Sequence, residues 1–231
     1  ESKTVTPSQG SKVGEYLTHP AFTTLDVNGI WVGKFETSGS TSDIDVLPNQ
    51  TSLRGINVKT MFELAYNYDR SLDSHMMKNT EWGAVAYLSH SEYGINSEIR
   101  INNSATYTTG CAANIENGFP YSGCENAYNT TTGVLASTTG NISGIYDMSG
   151  CSWEYVMGVL EDSLNSNTPS SGQTSSFNSG FSGKNLNDGT ITTGVSFPEA
   201  KYYDIYKYET SSSDYTRYHL GDATTETKGW N

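Results

Sequence analysis

The sequence predicts an α+β fold with two helices, short strands and long irregular loops. Two segments of the first half have apolar residues at helical spacing, and shorter runs alternate apolar with polar residues as half-buried strands do. The second half is rich in Ser, Asn, Gly and Thr, which favour turns and loops. With 231 residues, the chain is long enough for one large domain or two small ones.

The N-terminal region divides into an arm and the start of the fold. Residues 1–14 are polar and predict a linker or flexible arm, and one domain is predicted over residues 15–231. A strand is predicted at residues 30–36, after a tight-turn Asn-Gly pair. The Ser-, Gly- and Asp-rich segment 37–53 is predicted to be a surface loop.

Two helices are predicted in the first half of the chain. Residues 57–67 have apolar positions at i, i+3, i+4 and i+7, which gives one buried face. That face would contain Val58, Met61, Phe62 and Ala65. The second helix is predicted over residues 81–90, with Asn79 or Thr80 as its N-cap.

Further strands are predicted in the second half. Residues 98–102 alternate, and so do residues 153–157, in which Trp153 would lie on a buried face. Four tyrosines fall within residues 201–208, and we expect core and strand contacts for them in preference to display on the surface.

Composition and charge limit the function classes. The chain carries 13 Lys and Arg against 25 Asp and Glu, a net charge of −12. A nucleic-acid partner is not expected, because phosphate binding requires clustered Lys and Arg. No run of about 18 apolar residues is present, so no membrane span is expected. Few charges and many hydroxyl, amide and Tyr side chains are typical of secreted and surface proteins, in which Tyr gives rigid contact area.

The three cysteines predict one disulfide. Cys111 and Cys124 bracket a Gly-, Asn- and Pro-containing loop. A bridge between them is favoured over free thiols, would contribute about 3 kcal/mol in the loop-entropy account, and implies an oxidising compartment. Cys151 remains as a buried small residue or a chance substitution, because no His lies near it in sequence to activate it.

Three segments carry a resemblance to a known family. Residues 147–155, Asp-Met-Ser-Gly-Cys-Ser-Trp-Glu-Tyr, resemble the N-x-x-G-N-x-W-E-W signature of the formylglycine-generating-enzyme (sulfatase-modifying factor) family. Residues 79–88 are similar to its P-T-E-A-E-W-E-Y-A-A-R helix, and residues 30–36 to its opening strand. The family is a branch of the C-type-lectin-like folds. The same branch includes the variable ligand-binding proteins of diversity-generating retroelements, bacterial pilin-like or phage, which this chain resembles most.

The resemblance implies a C-type-lectin-like fold with a small, mainly antiparallel sheet. The family's C-terminal core strands are absent from these 231 residues. The expectation is therefore a domain truncated at its C-terminus, a second polypeptide that supplies the strands, or a branch that closes its fold differently.

The resemblance also implies structural calcium. The first site would consist of Asp147, Gly150, Ser152 and Glu154. Carboxylates and turn carbonyls supply the oxygen ligands that calcium prefers. In the alternative, Glu154 bonds neighbouring backbone N–H groups and Asp147 caps the turn. A shorter match places Asn114 and Ile115 at the family's second calcium site.

The expected function is binding without catalysis. The enzymes' reactive cysteines lie in the absent C-terminal part, and no Ser-His-Asp ordering, phosphate-binding glycine loop or His-Glu-x-x-His motif is present. The four histidines have no metal-ligand spacing, so packing or capping roles are expected for them.

The resemblance implies an extracellular protein of the adhesin, phage or pilus-tip type, on a bacterial surface or a virion. It would bind a protein or glycan receptor through residues that the sequence does not identify. The alternative is a structural subunit of a pilus-like or virion fibre. An oxidase-like enzyme is a third and weaker class.

Overall fold

The computed structural model describes residues 28–161 and 198–207, which form a small α+β arrangement. Its helices are α1 (Val58–Tyr68) and α2 (Asn79–Leu88). The strands are β1 (Ser38–Ser40), β2 (Asp43–Asp45), β3 (Cys111–Ala112), β4 (Asn126–Ala127), β5 (Gly158–Glu161) and β6 (Asp204–Lys207). The pairs β1–β2 and β3–β4 are antiparallel, and β5–β6 is parallel. The α+β prediction is confirmed at this level, and the predicted arm at residues 1–14 lies outside the described residues.

Helix α1 forms where the sequence predicts it. Asn57 caps its start, because its side-chain oxygen accepts a hydrogen bond from the Thr60 N–H at 2.9 Å. Phe62 is buried on the inner face. After the helix ends, Asp69 accepts a hydrogen bond from the Ser71 N–H at 2.9 Å, which starts a short 3₁₀ helix.

Helix α2 starts two residues earlier than predicted. Lys78 occupies the N-cap position, and its N–H donates to the Glu81 carboxylate at 2.8 Å. Thr80 lies inside the first turn, and its N–H donates to the Asp204 carboxylate at 3.0 Å. The prediction of Asn79 or Thr80 as the cap is wrong, because a carboxylate from a remote segment satisfies the exposed N–H group.

Two groups of buried side chains form the core. The helix cluster joins α1 to the residue before β5 and to the residues before β6. It consists of Phe62, Met76, Met157, Tyr202 and Tyr203. The loop cluster lies under the central loops and consists of Phe35, Ala112, Ala136 and Tyr146. Tyr203 is thus in the core, as expected for this tyrosine-rich segment, in which Tyr202 is also buried.

Three strand predictions are wrong. Residues 30–36 and 98–102 form no ladder, and neither do residues 153–157, of which only Met157 forms an isolated bridge, with Lys78. Single contacts from remote loops take the place of a ladder. The Lys34 carbonyl accepts a hydrogen bond from the Tyr146 N–H at 2.9 Å, and Asn102 forms an isolated bridge with Gly150.

The predicted surface loop at residues 37–53 contains the β1–β2 hairpin, so that prediction also needs correction. Gly39 has a φ of +87°, a value that favours glycine, and a Cβ atom there would lie 2.5 Å from the Asp43 carbonyl oxygen. The described helices are all too short and too polar to cross a membrane.

Candidate functional site

Asp147, the first predicted calcium ligand, is 2% exposed and fully engaged by hydrogen-bond donors. Its carboxylate accepts from the Asn102 side-chain amide at 2.8 Å and from the Gly110 N–H at 2.9 and 3.0 Å. The Glu36 N–H adds a hydrogen bond of 3.3 Å. Burial raises the pKa of Asp147, and these hydrogen bonds oppose the rise. Asp147 therefore joins three remote segments rather than capping its own turn.

The glycine turn after Asp147 is clamped against Asn102. The Asn102 N–H donates to the Ser149 carbonyl at 2.7 Å, and the Cys151 N–H donates to the Asn102 carbonyl at 2.9 Å. Gly150 has a φ of +86°, and a Cβ atom there would lie 2.3 Å from the Asn102 carbonyl oxygen. Only glycine fits at this close approach.

Glu36 is a half-buried acid beside the same turn, and the sequence did not identify it as a site residue. One carboxylate oxygen accepts a hydrogen bond from the Ser152 N–H at 3.1 Å. The other oxygen is buried without a hydrogen-bond partner, and so is the Ser152 hydroxyl. Burial, followed by the charge of Asp147, raises the pKa of Glu36 to about 7.

Cys151 lies within this group of acids as a free thiol. Burial, followed by the charge of Glu36, raises the pKa of the Cys151 thiol. A raised pKa leaves the sulfur as an unreactive thiol at neutral pH. The Cys151 side chain is half-buried rather than fully buried, and the raised pKa gives no support to a nucleophile.

Glu154 differs from Asp147 because it is exposed to solvent. Its carboxylate accepts a hydrogen bond from the Trp82 indole N–H at 2.5 Å, which ties the segment after the turn to α2. This contact replaces the bonds to neighbouring backbone N–H groups that the alternative interpretation expected.

Trp153 is 77% exposed, so the prediction that it lies on a buried face is wrong. No described strand pairs with residues 153–156, and nothing in the described part of the chain covers the indole. The buried tryptophan was the anchor of the C-type-lectin-like interpretation. Its exposure counts against that interpretation, although both helices form near their predicted positions.

The calcium sites remain predictions. Among residues 28–161 and 198–207, no group of three or more His, Cys, Asp or Glu side chains is arranged to hold a metal ion. At the first site, Asp147 accepts hydrogen bonds from N–H donors, and Glu154 bonds the Trp82 indole. Neither arrangement supplies support for calcium.

The second predicted site is a hydrogen-bonded hub on a different loop. The Asn114 side-chain amide donates to the Glu125 carboxylate at 2.6 Å, and the Asn114 N–H donates to it at 3.2 Å. The hydrogen bond from the Asn103 side chain is the main cause that lowers the pKa of Glu125. The Ile115 side chain is exposed to solvent. The sequence missed Asn103 and Glu125, because their partners lie 22 and 11 residues away.

The predicted disulfide between Cys111 and Cys124 is confirmed. The loop that it closes, residues 111–124, displays apolar side chains to solvent. Ile115 is 60% exposed, Phe119 is 86% exposed and Tyr121 is 45% exposed. We call these three residues the loop patch.

The backbone beneath the loop patch is fixed by Asn103. The side-chain amide of Asn103 donates to the Phe119 carbonyl at 2.7 Å. The main-chain carbonyl of Asn103 accepts a hydrogen bond from the Tyr121 N–H at 2.9 Å. The Tyr121 carbonyl accepts from the Ala105 N–H at 2.8 Å. Asn103 is itself 93% buried, since its exposed fraction is 7%. The loop is therefore held at the Phe119 carbonyl and at Tyr121, in addition to the disulfide.

The described histidines have ordinary contacts. His75 pairs with Glu81 at 3.2 Å, and His90 lies 3.7 Å from Glu98. Because the two rings contact different acids, the structure gives no zinc pair.

Comparison with known proteins gives no identification. No protein-family model matches the chain, and neither the curated proteins nor the solved structures contain a significant match.

Proposed function

We propose that this chain is a non-catalytic binding protein that contacts a protein or glycan receptor through the loop patch. The observation that carries the proposal is the exposure of Ile115, Phe119 and Tyr121 on one disulfide-closed loop. A single exposed apolar residue is ordinary, but a group of them on one loop is a common mark of an interaction surface.

Rigidity supports this proposal. A flexible loop loses conformational entropy when it binds, and a loop already fixed in place loses less. Here the disulfide closes the loop, and the two Asn103 hydrogen bonds fix the backbone from the Phe119 carbonyl to the Tyr121 N–H. Aromatic side chains on a fixed backbone give large contact area with few rotatable bonds.

The proposed location is extracellular, on a bacterial surface or a virion. A disulfide persists in oxidising compartments and is rare in the reducing cytosol. The net charge of −12 also disfavours a nucleic-acid partner.

The scaffold belongs to the proposal too. A C-type-lectin-like domain of the formylglycine-generating-enzyme branch is supported by the two helices and by the glycine turn after Asp147. The exposure of Trp153 opposes it. The binding proposal depends on the loop patch and would stand on another α+β scaffold.

Phe119→Ala tests the binding surface. The fluorescently labelled chain is screened against a glycan array and a panel of bacterial cells, and the binding partner found is then titrated. Removal of a central aromatic contact costs about 2 kcal/mol or more, roughly a 30-fold loss of affinity. Leu72→Ala is the matched control, because Leu72 is 75% exposed but lies in the 3₁₀ helix after α1.

Equal losses in the two variants would remove the loop patch as the binding surface. Unchanged affinity in Phe119→Ala would do the same. Circular dichroism confirms that both variants remain folded, so that lost binding is not lost structure.

A structural subunit of a pilus-like or virion fibre is the second candidate, favoured by the exposed Trp153 beside β5. Light scattering separates the two candidates. A binding module stays at one mass as concentration rises, whereas a fibre subunit assembles.

A further inference from the structure

His75 lies between two oxygen atoms, one at each nitrogen of its ring. The Nδ1 atom is 2.7 Å from the Asp73 carbonyl oxygen, and the Nε2 atom is 3.2 Å from Oε1 of Glu81. A carbonyl oxygen can only accept a hydrogen bond, so Nδ1 carries a proton. An ionised carboxylate can also only accept, so Nε2 carries a proton as well when Glu81 is ionised. Both contacts together therefore require the doubly protonated ring, the imidazolium.

Glu81 is held in its ionised form by its place in the first turn of α2. Its second carboxylate oxygen accepts a hydrogen bond from the Lys78 N–H at 2.8 Å. The start of a helix also favours negative charge. Burial raises the pKa of Glu81, but the hydrogen bonds from His75 and Lys78 outweigh burial, so that this pKa is lowered. The hydrogen bond to Glu81 is in turn the main cause that raises the pKa of His75.

The His75 ring also contacts the segment that precedes β6. The ring centroids of His75 and Tyr202 are 5.3 Å apart, and the Tyr202 hydroxyl donates to the Asp73 carboxylate at 2.5 Å. The Lys201 ammonium group donates to the same carboxylate at 3.0 Å. Because Tyr202 is buried in the helix cluster, His75 connects the start of α2 to the residues that dock on both helices.

The other titratable groups around His75 in residues 28–161 and 198–207 come from α1, the turn after it, the start of α2 and the segment before β6. Besides Glu81 they are Tyr66, Arg70, Asp73, Lys78, Lys201 and Tyr202. Lys201 pairs with Asp73, and Lys78 lies 3.8 Å from Asp204. Carboxyl groups ordinarily titrate near pH 4, and Lys, Arg and Tyr titrate near pH 10 or above, whereas His titrates near pH 6.5. We therefore expect His75 to be the group of this set whose charge changes near neutral pH.

We propose that the ion pair of His75 and Glu81 is a pH-sensitive switch, which holds residues 201–204 on the two helices while the ring is protonated and loosens them when the Nε2 proton is lost to water. The neutral ring keeps its Nδ1 proton for the Asp73 carbonyl, so a nitrogen lone pair then faces the Glu81 carboxylate. Two acceptors repel each other, and the buried carboxylate loses a charge-assisted hydrogen bond. The ring has to move, and Tyr202 loses the ring that packs against it. The switch is separate from the loop patch, so the two proposals stand or fall independently.

The shifted pKa values give the direction of the pH dependence. The pKa of His75 is raised above 6.5, so its contribution to stability is full below pH 6.5 and is lost as pH rises through the pKa of the folded chain. The pKa of Glu81 is lowered below 4.5, so its contribution is present above pH 4.5 and is lost as pH falls through the pKa of the folded chain. The docked state is therefore favoured most between about pH 4.5 and pH 6.5.

Native-state hydrogen exchange of the full chain, with its disulfide intact, tests the switch. The reporter is the Asp204 N–H, which donates to the Met157 carbonyl at 3.1 Å. Its protection, the exchange rate relative to an unstructured peptide at the same pH, should fall by about tenfold from about pH 6 to about pH 9, as expected for the loss of one charge-assisted hydrogen bond. The Ala105 N–H, which donates to the Tyr121 carbonyl, should keep its protection. The chain carries Glu36→Gln in every measurement, because Glu36 also titrates near pH 7.

Glu81→Gln separates the charge from the packing. The Gln oxygen can still accept the Lys78 N–H, and the Gln amide can donate to Nε2 of a neutral ring. The ring then needs no second proton. The pKa of His75, followed by NMR of the ring, should therefore be lower than in the chain with Glu81. The Asp204 amide should keep its protection from about pH 6 to about pH 9.

Two histidine variants complete the test. His75→Gln should remove the pH dependence at the Asp204 amide. His90→Gln is the matched control, because His90 also lies near an acid, 3.7 Å from Glu98, but has no contact with the docked segment among the described contacts. Its variant should keep the full pH dependence.

Three results would overturn the proposal. One is protection of the Asp204 amide that does not change between about pH 6 and about pH 9. Another is an equal loss of protection at Ala105, which would assign the pH dependence to the whole fold. The third is a Glu81→Gln chain that keeps either the full pH dependence or the pKa of His75 unchanged.

Discussion

Asp147→Asn is expected to destabilise the chain by about 2–3 kcal/mol, although the two side chains have almost the same shape. The Asn side chain keeps one oxygen, which can still accept from Asn102 and Gly110. At the second oxygen position an amide N–H₂ group replaces the acceptor and faces the Glu36 N–H. One buried donor is left without a partner, and two remaining bonds lose their charge assistance.

The magnitude follows from these contacts. A hydrogen bond to a charged group contributes about 1.5–3 kcal/mol, and an unsatisfied buried donor costs about 1–3 kcal/mol. The neutral amide of Asn is buried without the free-energy cost of burying a charge, the cost that raises the pKa of Asp147, and this offsets part of the lost stability. The backbone adds little, because Asp147 has a φ of +65° and Asn tolerates the left-handed region well.

Urea unfolding with the disulfide intact measures this difference, as a shift in midpoint at constant slope. Asp45→Asn is the matched control, because Asp45 is an exposed residue of β2 and a surface change there stays within about 0.5 kcal/mol. If Asp147→Asn and Asp45→Asn unfolded at the same urea concentration, the role of Asp147 as the junction of three segments would be refuted.

Two further predictions concern the same turn, and a third concerns both predicted calcium sites. The pKa of Glu36 is raised from 4.5 to about 7 in the folded chain, so its contribution to stability is full below pH 4.5 and is lost as pH rises through 7. When unfolding is measured from pH 4.5 to 8, the free energy of unfolding should fall by up to about 3 kcal/mol less in Glu36→Gln than in the parent chain. Parallel curves for the two proteins would contradict this. Gly150→Ala should lower the free energy of unfolding by about 2–4 kcal/mol, against about 1–2 kcal/mol for Gly55→Ala. Both glycines have a positive φ, but only Gly150 has a close backbone neighbour. Equal losses would mean that the backbone around Gly150 moves to accommodate the Cβ atom without cost. If the predicted calcium sites bind, calcium at a hundredfold above its Kd adds about 2.7 kcal/mol in thermal unfolding, and identical curves with calcium and with chelator would reject both sites.

Local patterns predicted the helices well. The positions Val58, Met61, Phe62 and Ala65 lie within a few residues of one another, so the burial of one face could be inferred from spacing alone. The predicted start of α2 was less accurate, because the hydrogen-bond partner of the Thr80 N–H in its first turn is Asp204, which lies 124 residues away.

The strand predictions were wrong because strand pairing depends on partners that are distant in sequence. Alternation at residues 30–36 suggested a ladder, but the partner of Lys34 is Tyr146, and no neighbouring strand continues the contact. The predicted burial of Trp153 was wrong for a similar reason, because alternation predicts which side chains share a face but not whether another segment covers that face.

Part of the candidate site was predictable from the sequence. The disulfide followed from the spacing of Cys111 and Cys124, and Asp147 was selected from its motif. The exposure of Phe119 and the clamp by Asn103 depend on packing across the loop, which has no signature in the sequence. The same holds for Glu36, whose partner Ser152 is 116 residues distant.

Native-state hydrogen exchange at the amides of Ala105 and Tyr121 tests most directly whether the loop patch stands on a fixed backbone. The Ala105 N–H donates to the Tyr121 carbonyl, and the Tyr121 N–H donates to the main-chain carbonyl of Asn103. The exchange of both amides should therefore be slowed by about a hundredfold or more relative to an unstructured peptide. Exchange at the unstructured rate would mean that the loop is not fixed, and the proposed receptor surface would lose its physical basis.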